Sequence, residues 1–304
     1  MIIKSKDKAE VALKQLEEIQ NIPSITRQTR TKVEREIQII KKGLRGEKDS
    51  AYYIDFYFGD SKNWAIIHDL RIEHKNLVAQ IDHLLINRFL DFYILETKNY
   101  THGIKINDRG EFLVWTGKQY TPIESPIEQN QRHIEVMKRV LETEPILPKR
   151  AGIKIQSSFF SYILVSPKSR VIRPEKKIFD SNLVIKSDEL NTKLEQNIEN
   201  KNTFSSLVSL TKLISQDSLV EIANKVASYH RPTKIDYYKK FNINISDKKI
   251  KDLKIQKKSP QKTKYYCFKC SQTITNKVAS FCFSNKNRFQ GKAYCYTCQR
   301  LFTS

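Results

Sequence analysis

Three apolar runs follow one another with only short polar breaks: WAIIHDLRIEH (64–74), NLVAQIDHLLIN (76–87) and FLDFYILETKN (89–99). Each is rich in β-branched, aromatic and leucine residues, and the spacing predicts consecutive strands of one sheet. Charges interrupt this pattern. Asp82 lies inside the second run, and the third ends in Glu96-Thr97-Lys98. If Arg88, Phe89 and Leu90 form a three-residue hairpin loop, Asn87 faces Asp91, and counting back sets Asp82 opposite Glu96. Because side chains alternate along a strand, Glu96 and Lys98 share that face while Leu95 and Thr97 point away. Two carboxylates this close repel unless one is protonated or a cation joins them. Mg²⁺, which takes one or two carboxylates and keeps several waters, is suited to the place. A neighbouring lysine can orient water or stabilise charge on a phosphate. On spacing alone a self-neutralising acid–acid–lysine cluster remains the competing reading.

Around these runs the pattern is α/β. Helical spacing appears over 6–20 and 31–42, with EKDSAYYIDFYF (47–58) read as a further helix after Gly43 and Gly46. Short strands are expected near HGIKIND and EFLVWTG, a helix from about Glu128 to Leu141, a central strand in SSFFSYILVSP, and a long helix over 204–228. This order predicts a helical extension over 1–43 and a mixed-sheet domain over 44–230. Residues 231–264, with 11 lysines and three acids between 233 and 264, read as a basic linker.

All five cysteines fall after residue 266, and CFKC (267–270) and CYTC (295–298) are two CxxC knuckles with 24 residues between them. Each CxxC turn offers two thiolates, so Cys267, Cys270, Cys295 and Cys298 form a tetrahedral Zn²⁺ set within a module over 265–304. Cys282 reads as a packed thiol, with an alternative ligand role as the competing reading. The region resembles a zinc ribbon or treble-clef-like finger. Tyr265, Phe268, Phe289 and Tyr296 alternate there with Lys269, Lys286, Arg288 and Lys292, which suits both a small aromatic core and a base-stacking surface.

Charge then bears on partners. Lys and Arg total 54 against 33 acids, a formal +21 in 304 residues, which favours polyanions, nucleic acid above all. No segment offers the roughly 18–20 uncharged apolar residues of a membrane span, and no apolar leader opens the chain, so a cytoplasmic protein with no membrane partner is expected. Self-association stays open.

Asp82 followed by Glu96-x-Lys98 at the end of an apolar strand is the core pattern of the PD-(D/E)XK nuclease superfamily. Together with KGLRGE (42–47), AQIDHLLIN (79–87), YILETKNYTHGI (93–104), the tryptophan of FLVWTG and SPIEQNQRHI (125–134), it resembles the NERD (nuclease-related) domain over about residues 40–145. The resemblance implies a restriction-endonuclease-like mixed sheet flanked by helices. Glu47 would come from the first helix, Asp82 and Glu96 would bind Mg²⁺ or Mn²⁺, Lys98 would sit beside the attacking water, and Gln129 would orient substrate or water. Ile81 stands where the superfamily pattern has proline, a departure that NERD proteins share. His83 reads as a packed histidine on the opposite strand face, and His68, His74, His102 and His133 have no ligand spacing. Two functions compete: a metal-dependent nuclease, with DNA favoured as substrate and Zn²⁺ structural, and a non-catalytic nucleic-acid-binding protein on the same fold.

Overall fold

The computed structural model describes residues 1–7, 9–100, 102–204, 213–233, 235–243 and 265–302. The chain divides into two compact units, Met1–Phe241 and Asn242–Ser304. Most of the sequence expected to be linker, 244–264, lies outside the described residues. The first part of that stretch does not behave as linker: Tyr237 is buried, the Tyr238 hydroxyl donates to Glu18, and Lys240 pairs with Glu36.

The first unit is built on a six-stranded mixed sheet. Its strands are β1 (Ile2–Lys4), β2 (Trp64–His74), β3 (Leu77–Asn87), β4 (Asp91–Lys98), β10 (Ser158–Val165) and β12 (Val184–Lys186), which is also their spatial order. The β2–β3 and β3–β4 pairs are antiparallel, whereas β1 joins β2, and β10 joins both β4 and β12, in parallel. Between β4 and β10 the chain makes a small sheet from β5 (Ile104–Ile106), β6 (Phe112–Trp115) and β7 (Tyr120–Ile123), to which β11 (Val171–Ile172) adds; β8 (Lys149–Arg150) and β9 (Ile153–Lys154) form a minor hairpin.

Helices cover both faces of the main sheet, so its strands are apolar on both sides rather than alternating. On one face, α3 (Pro126–Thr143) and α5 (Gln216–Ser228) pack Met137, Val140, Leu219 and Ile222 against Ile67, Leu84, Ile86, Phe92 and Ile94. On the other, α2 (Arg27–Phe58) and α4 (Leu190–Phe204) pack Ile54, Phe58, Leu190 and Leu194 against Ile66, Leu85, Tyr93 and Leu95. Two further helices, α1 (Glu10–Gln20) and α6 (Tyr237–Lys240), complete the unit.

Three expectations need correction. The extension over 1–43 does not end at residue 43, because α2 runs unbroken through Gly43 and Gly46. Gly46 is there for proximity: a Cβ on it would lie 2.8 Å from the Asn99 Cβ, so glycine lets the helix close on the end of β4. A continuous helix over 204–228 is likewise absent. Ser215 is extended and its side chain accepts from the Ser218 amide, which starts α5 afresh at Gln216. Residues 2–4, part of the expected helical extension, form edge strand β1.

The β3–β4 hairpin has the expected loop. The Leu90 amide donates to the Asn87 carbonyl at 3.0 Å, and the Asn87 Oδ1 accepts from the amides of Phe89 and Asp91. Leu90 closes the turn at φ 57°, which costs a non-glycine residue about 1–2 kcal/mol. Its side chain is fully buried, worth about 1.5–3 kcal/mol, so packing outweighs the strain.

Within the second unit, β13 (Tyr265–Tyr266) and β14 (Thr273–Ile274) form a hairpin, followed by α7 (Asn276–Ser284), α8 (Lys286–Phe289) and α9 (Tyr296–Gln299). Phe289, Tyr294, Ala279 and Cys282 are its buried centre.

Candidate metal-dependent site

Pairing of Ile86 with Phe92, Leu85 with Tyr93, Leu84 with Ile94 and His83 with Leu95 fixes the hairpin register. One step further sets Asp82 against Glu96 at the edge where β3 and β4 separate. There the Thr97 amide, freed from the ladder, donates to the Asp82 Oδ2 at 2.8 Å. Register thus places one carboxylate, and a backbone amide aims it.

Glu96 is 4% exposed and holds two partners in a compact set. Its Oε1 accepts from the Lys98 ammonium at 2.7 Å and from the Gln129 Nε2 at 2.9 Å, while the Gln129 Oε1 accepts from the same ammonium at 2.9 Å. Lys98 and Gln129 are both only partly exposed. Gln129 reaches the strand from the first turns of α3, which the Ser125 side chain caps by accepting from the Glu128 amide and which begins at Pro126. Asn130 anchors that helix by donating to the Ile94 carbonyl and the Ser161 hydroxyl, both at 2.8 Å.

The other oxygen of Glu96 is different. Its Oε2 is buried with no hydrogen-bond partner, and so is the Nδ1 of His133, 3.9 Å away and beyond hydrogen-bond reach. Burial, with Lys98 and Arg132 nearby, pulls His133 down to about 4, so it is neutral at physiological pH. A buried, unpaired carboxylate oxygen is costly unless a cation or donor joins it, and a divalent ion with hard oxygen ligands fits this donor set.

Glu47 approaches from α2. It sits in the middle of the helix, not in its first turn, and pairs with the ammonium of Lys6. Asn99 braces this contact by donating to the Lys42 carbonyl. The electrostatics join the three acids: burial, then Glu96 and Glu47, hold Asp82 well above the ordinary carboxylate range. Burial also raises Glu96, more than Lys98 and Gln129 lower it. Two carboxylates strained toward the neutral form, with Glu47 and two lysines beside them, would gain from a dication.

Sequence reasoning missed four contributors. Lys6 lies far upstream and meets Glu47 only because β1 docks on β2. Asn99, Asn130 and His133 stood inside quoted motifs, and the i, i+4 spacing of Gln129 and His133 was the available signal for the last. His83 faces the α2 side, where its Nδ1 lies 2.7 Å from that of His68, whose Nε2 contacts Asp55 at 2.9 Å. Both rings are buried, which lowers their pKa, and they pack away from the carboxylates.

Residues 42–167 match the family model described as NERD, nuclease-related domain. The chain carries a NERD domain. No curated protein and no solved structure matches it. The NERD match begins on α2 just before Glu47 and ends just past β10, so it holds Asp82, Glu96, Lys98 and Gln129 but leaves out Lys6. It extends beyond residue 145 because β10, which pairs with β4 throughout, belongs to the same sheet.

The second unit holds a different kind of centre. The ligand atoms of Cys267, Cys270, Cys295 and Cys298 all lie within 4.8 Å of one another, the single such histidine, cysteine or acid group among the described residues. Tight turns build it: the Ser271 amide donates to the Cys267 carbonyl with Ser271 at φ 57°, and Cys295 opens α9. Burial would raise the Cys267 thiol, but hydrogen bonds from the backbone at Cys295, Cys270 and Lys269 bring it down to about 6. Four thiols in that arrangement are compatible with structural Zn²⁺. Cys282 stands apart, fully buried, with its sulfur accepting from the Tyr294 amide and Gln299.

Among the described residues no helix is long and apolar enough to cross a membrane.

Proposed function

We propose that the NERD domain is a metal-dependent nuclease hydrolysing phosphodiester bonds, with DNA favoured over RNA. The observation that carries this reading is the Glu96 carboxylate, one oxygen held by Lys98 and Gln129 and the other buried without a partner, beside Asp82. Asp82 and Glu96 would hold Mg²⁺ or Mn²⁺, with Glu47 close enough to bias both. When bound, such an ion polarises the scissile phosphate and lowers the pKa of water.

The protein's own groups do the rest. Gln129 fixes Glu96 and Lys98 to one another, so the ammonium cannot swing away when solvent enters. Lys98 then presents a proton-bearing cation within a few ångströms of the carboxylates, placed to orient water and to stabilise charge gathering on the phosphate. Lys6 neutralises Glu47, and its displacement would release that acid toward an incoming cation. The four-cysteine module and the lysines of 231–264 would recruit the polyanion, in a cytoplasmic setting, and phosphate contacts of this kind give affinity without sequence reading.

A non-catalytic nucleic-acid-binding protein is the alternative. The same acids count against it, because three carboxylates repel the phosphate backbone unless a metal reverses their sign. The test is cleavage of end-labelled DNA and RNA by purified protein across a Mg²⁺ titration. The nuclease reading predicts Mg²⁺-dependent products lost in Asp82→Ala; binding without any cleavage would favour the alternative.

A further inference from the structure

The small sheet that leaves β4 and returns to α3 has one face in the core and one in solvent. Ile104, Ile106 and Phe112 point inward. The outward set, by register, is Lys105, Leu113, Trp115, Tyr120 and Pro122. Trp115 and Tyr120 are paired partners at the turn end of the β6–β7 hairpin, with ring centroids 5.1 Å apart at 63°, and they are 37% and 39% exposed. Two cations adjoin them: the Lys105 ammonium lies 5.6 Å from the Tyr120 ring centre, and exposed Lys118 sits in the turn with Gly117 at φ 93°.

Register also ties these rings to the carboxylate site. Ile104 pairs with Val114, so Trp115 stands level with Gly103, which is five residues past Lys98 and hence at most about 18 Å away along the chain. Gly103 is fixed there, since a Cβ on it would lie 2.3 Å from the Arg170 carbonyl oxygen. The other end of the small sheet runs from Ile123 through Ser125 into α3 and Gln129.

We propose that Trp115 and Tyr120 form a stacking platform for unpaired bases, so that the NERD site takes single-stranded nucleic acid. This rests on the nuclease reading above. Aromatic faces flanked by lysines are what a strand with free base faces requires, stacking on the rings and phosphate on the ammonium groups. Duplex bases are already stacked on one another and offer no free face to Trp115.

The chain contains two tryptophans, and Trp64 is buried, so intrinsic fluorescence reports on the platform. The full zinc-loaded protein, without added Mg²⁺, is titrated with a short oligothymidylate and with a duplex of equal length. The single strand is expected to quench the emission, and Trp115→Phe, which keeps a ring, should lose the signal yet hold affinity within about threefold. Trp115→Ala should bind about tenfold more weakly at an unchanged melting temperature. Binding of the strand with unaltered emission, unchanged affinity in Trp115→Ala, or quenching by the duplex alone would overturn the proposal. Mg²⁺-dependent cleavage that needs Asp82 but is indifferent to Trp115→Ala would remove the platform and leave the nuclease reading standing; failure of the wild-type chain to bind the single strand would remove the platform, and absence of any Mg²⁺-dependent cleavage would remove the nuclease reading.

Discussion

The chain carries two candidate metal centres, and they are prepared in opposite ways. In the second unit four thiols from two tight turns already converge within 4.8 Å of one another. In the NERD domain three carboxylates come from α2, β3 and β4, one is capped by Lys6, another is gripped by Lys98 and Gln129, and a buried oxygen is left unpaired. A closed tetrahedral set suits a structural ion that stays, whereas an incomplete carboxylate set with lysines in attendance suits an ion that keeps waters and acts on a substrate. With an ion bound, the first centre would stabilise its unit. The second destabilises its own, since burying like charges runs against the fold until a cation arrives.

The contrast should break first at the cysteines. Removing Zn²⁺ with a chelator that spares Mg²⁺, or introducing Cys298→Ser, should unfold the second unit outright, because ligand and fold form together in so small a core. Circular dichroism and thiol titration would read this, with four to five reactive thiols appearing, and nucleic-acid affinity should fall with the loss of the module. Retained secondary structure and protected thiols in the metal-free protein would erase the distinction drawn between the two centres.

Next in size are the carboxylate site's chemical effects. Asp82→Ala should lower Mg²⁺-dependent cleavage by about 10²–10⁴-fold with the fold intact, in the range of losing one positioned catalytic group. Gln129→Ala removes two hydrogen bonds that only orient, so a smaller loss, roughly tenfold, is expected in single-turnover rate, with Gln129→Glu no better because a fourth acid joins the cluster.

Stability should move the other way. Asp82 and Glu96 have folded-state pKa values raised above their unfolded values, so the folded chain binds their protons more tightly. The resulting penalty is fully present above the raised values and vanishes below the ordinary carboxylate range, so without Mg²⁺ it is felt at neutral pH. Asp82→Asn should therefore raise the melting temperature of the metal-free protein at neutral pH, by about 2–4 °C per kcal/mol relieved, and the gain should shrink on acidification. For the same reason Mn²⁺ affinity of the wild-type site should decline as pH falls through those raised values. A variant that melts lower than wild type at neutral pH would mean that Asp82 is not under charge strain.

Much of this was legible in the residues. The Asp82–Glu96 juxtaposition follows from loop length and strand period alone, and both hold, because the Asn87 side chain closes the three-residue turn with bonds to the Phe89 and Asp91 amides. CxxC turns are equally local, so the cysteine cluster could be read from spacing. Lys6 could not, since nothing near MIIKSK says that it will lie beside a residue 41 positions away until β1 has docked. Glycine misled for a related reason: at Gly43 and Gly46 a flexible residue reads as a break, but at Gly46 it serves a close approach that only the folded chain reveals. Local rules placed the strands and turns; long-range docking completed the site.

The most direct test of the account is the Mg²⁺-dependent cleavage rate of labelled single-stranded DNA by the wild-type chain and by Lys98→Ala, measured side by side at equal folded content. The account predicts cleavage by the wild type that requires the divalent ion, and a loss of at least about a hundredfold in the variant while DNA binding persists. Equal cleavage by the two proteins would contradict it.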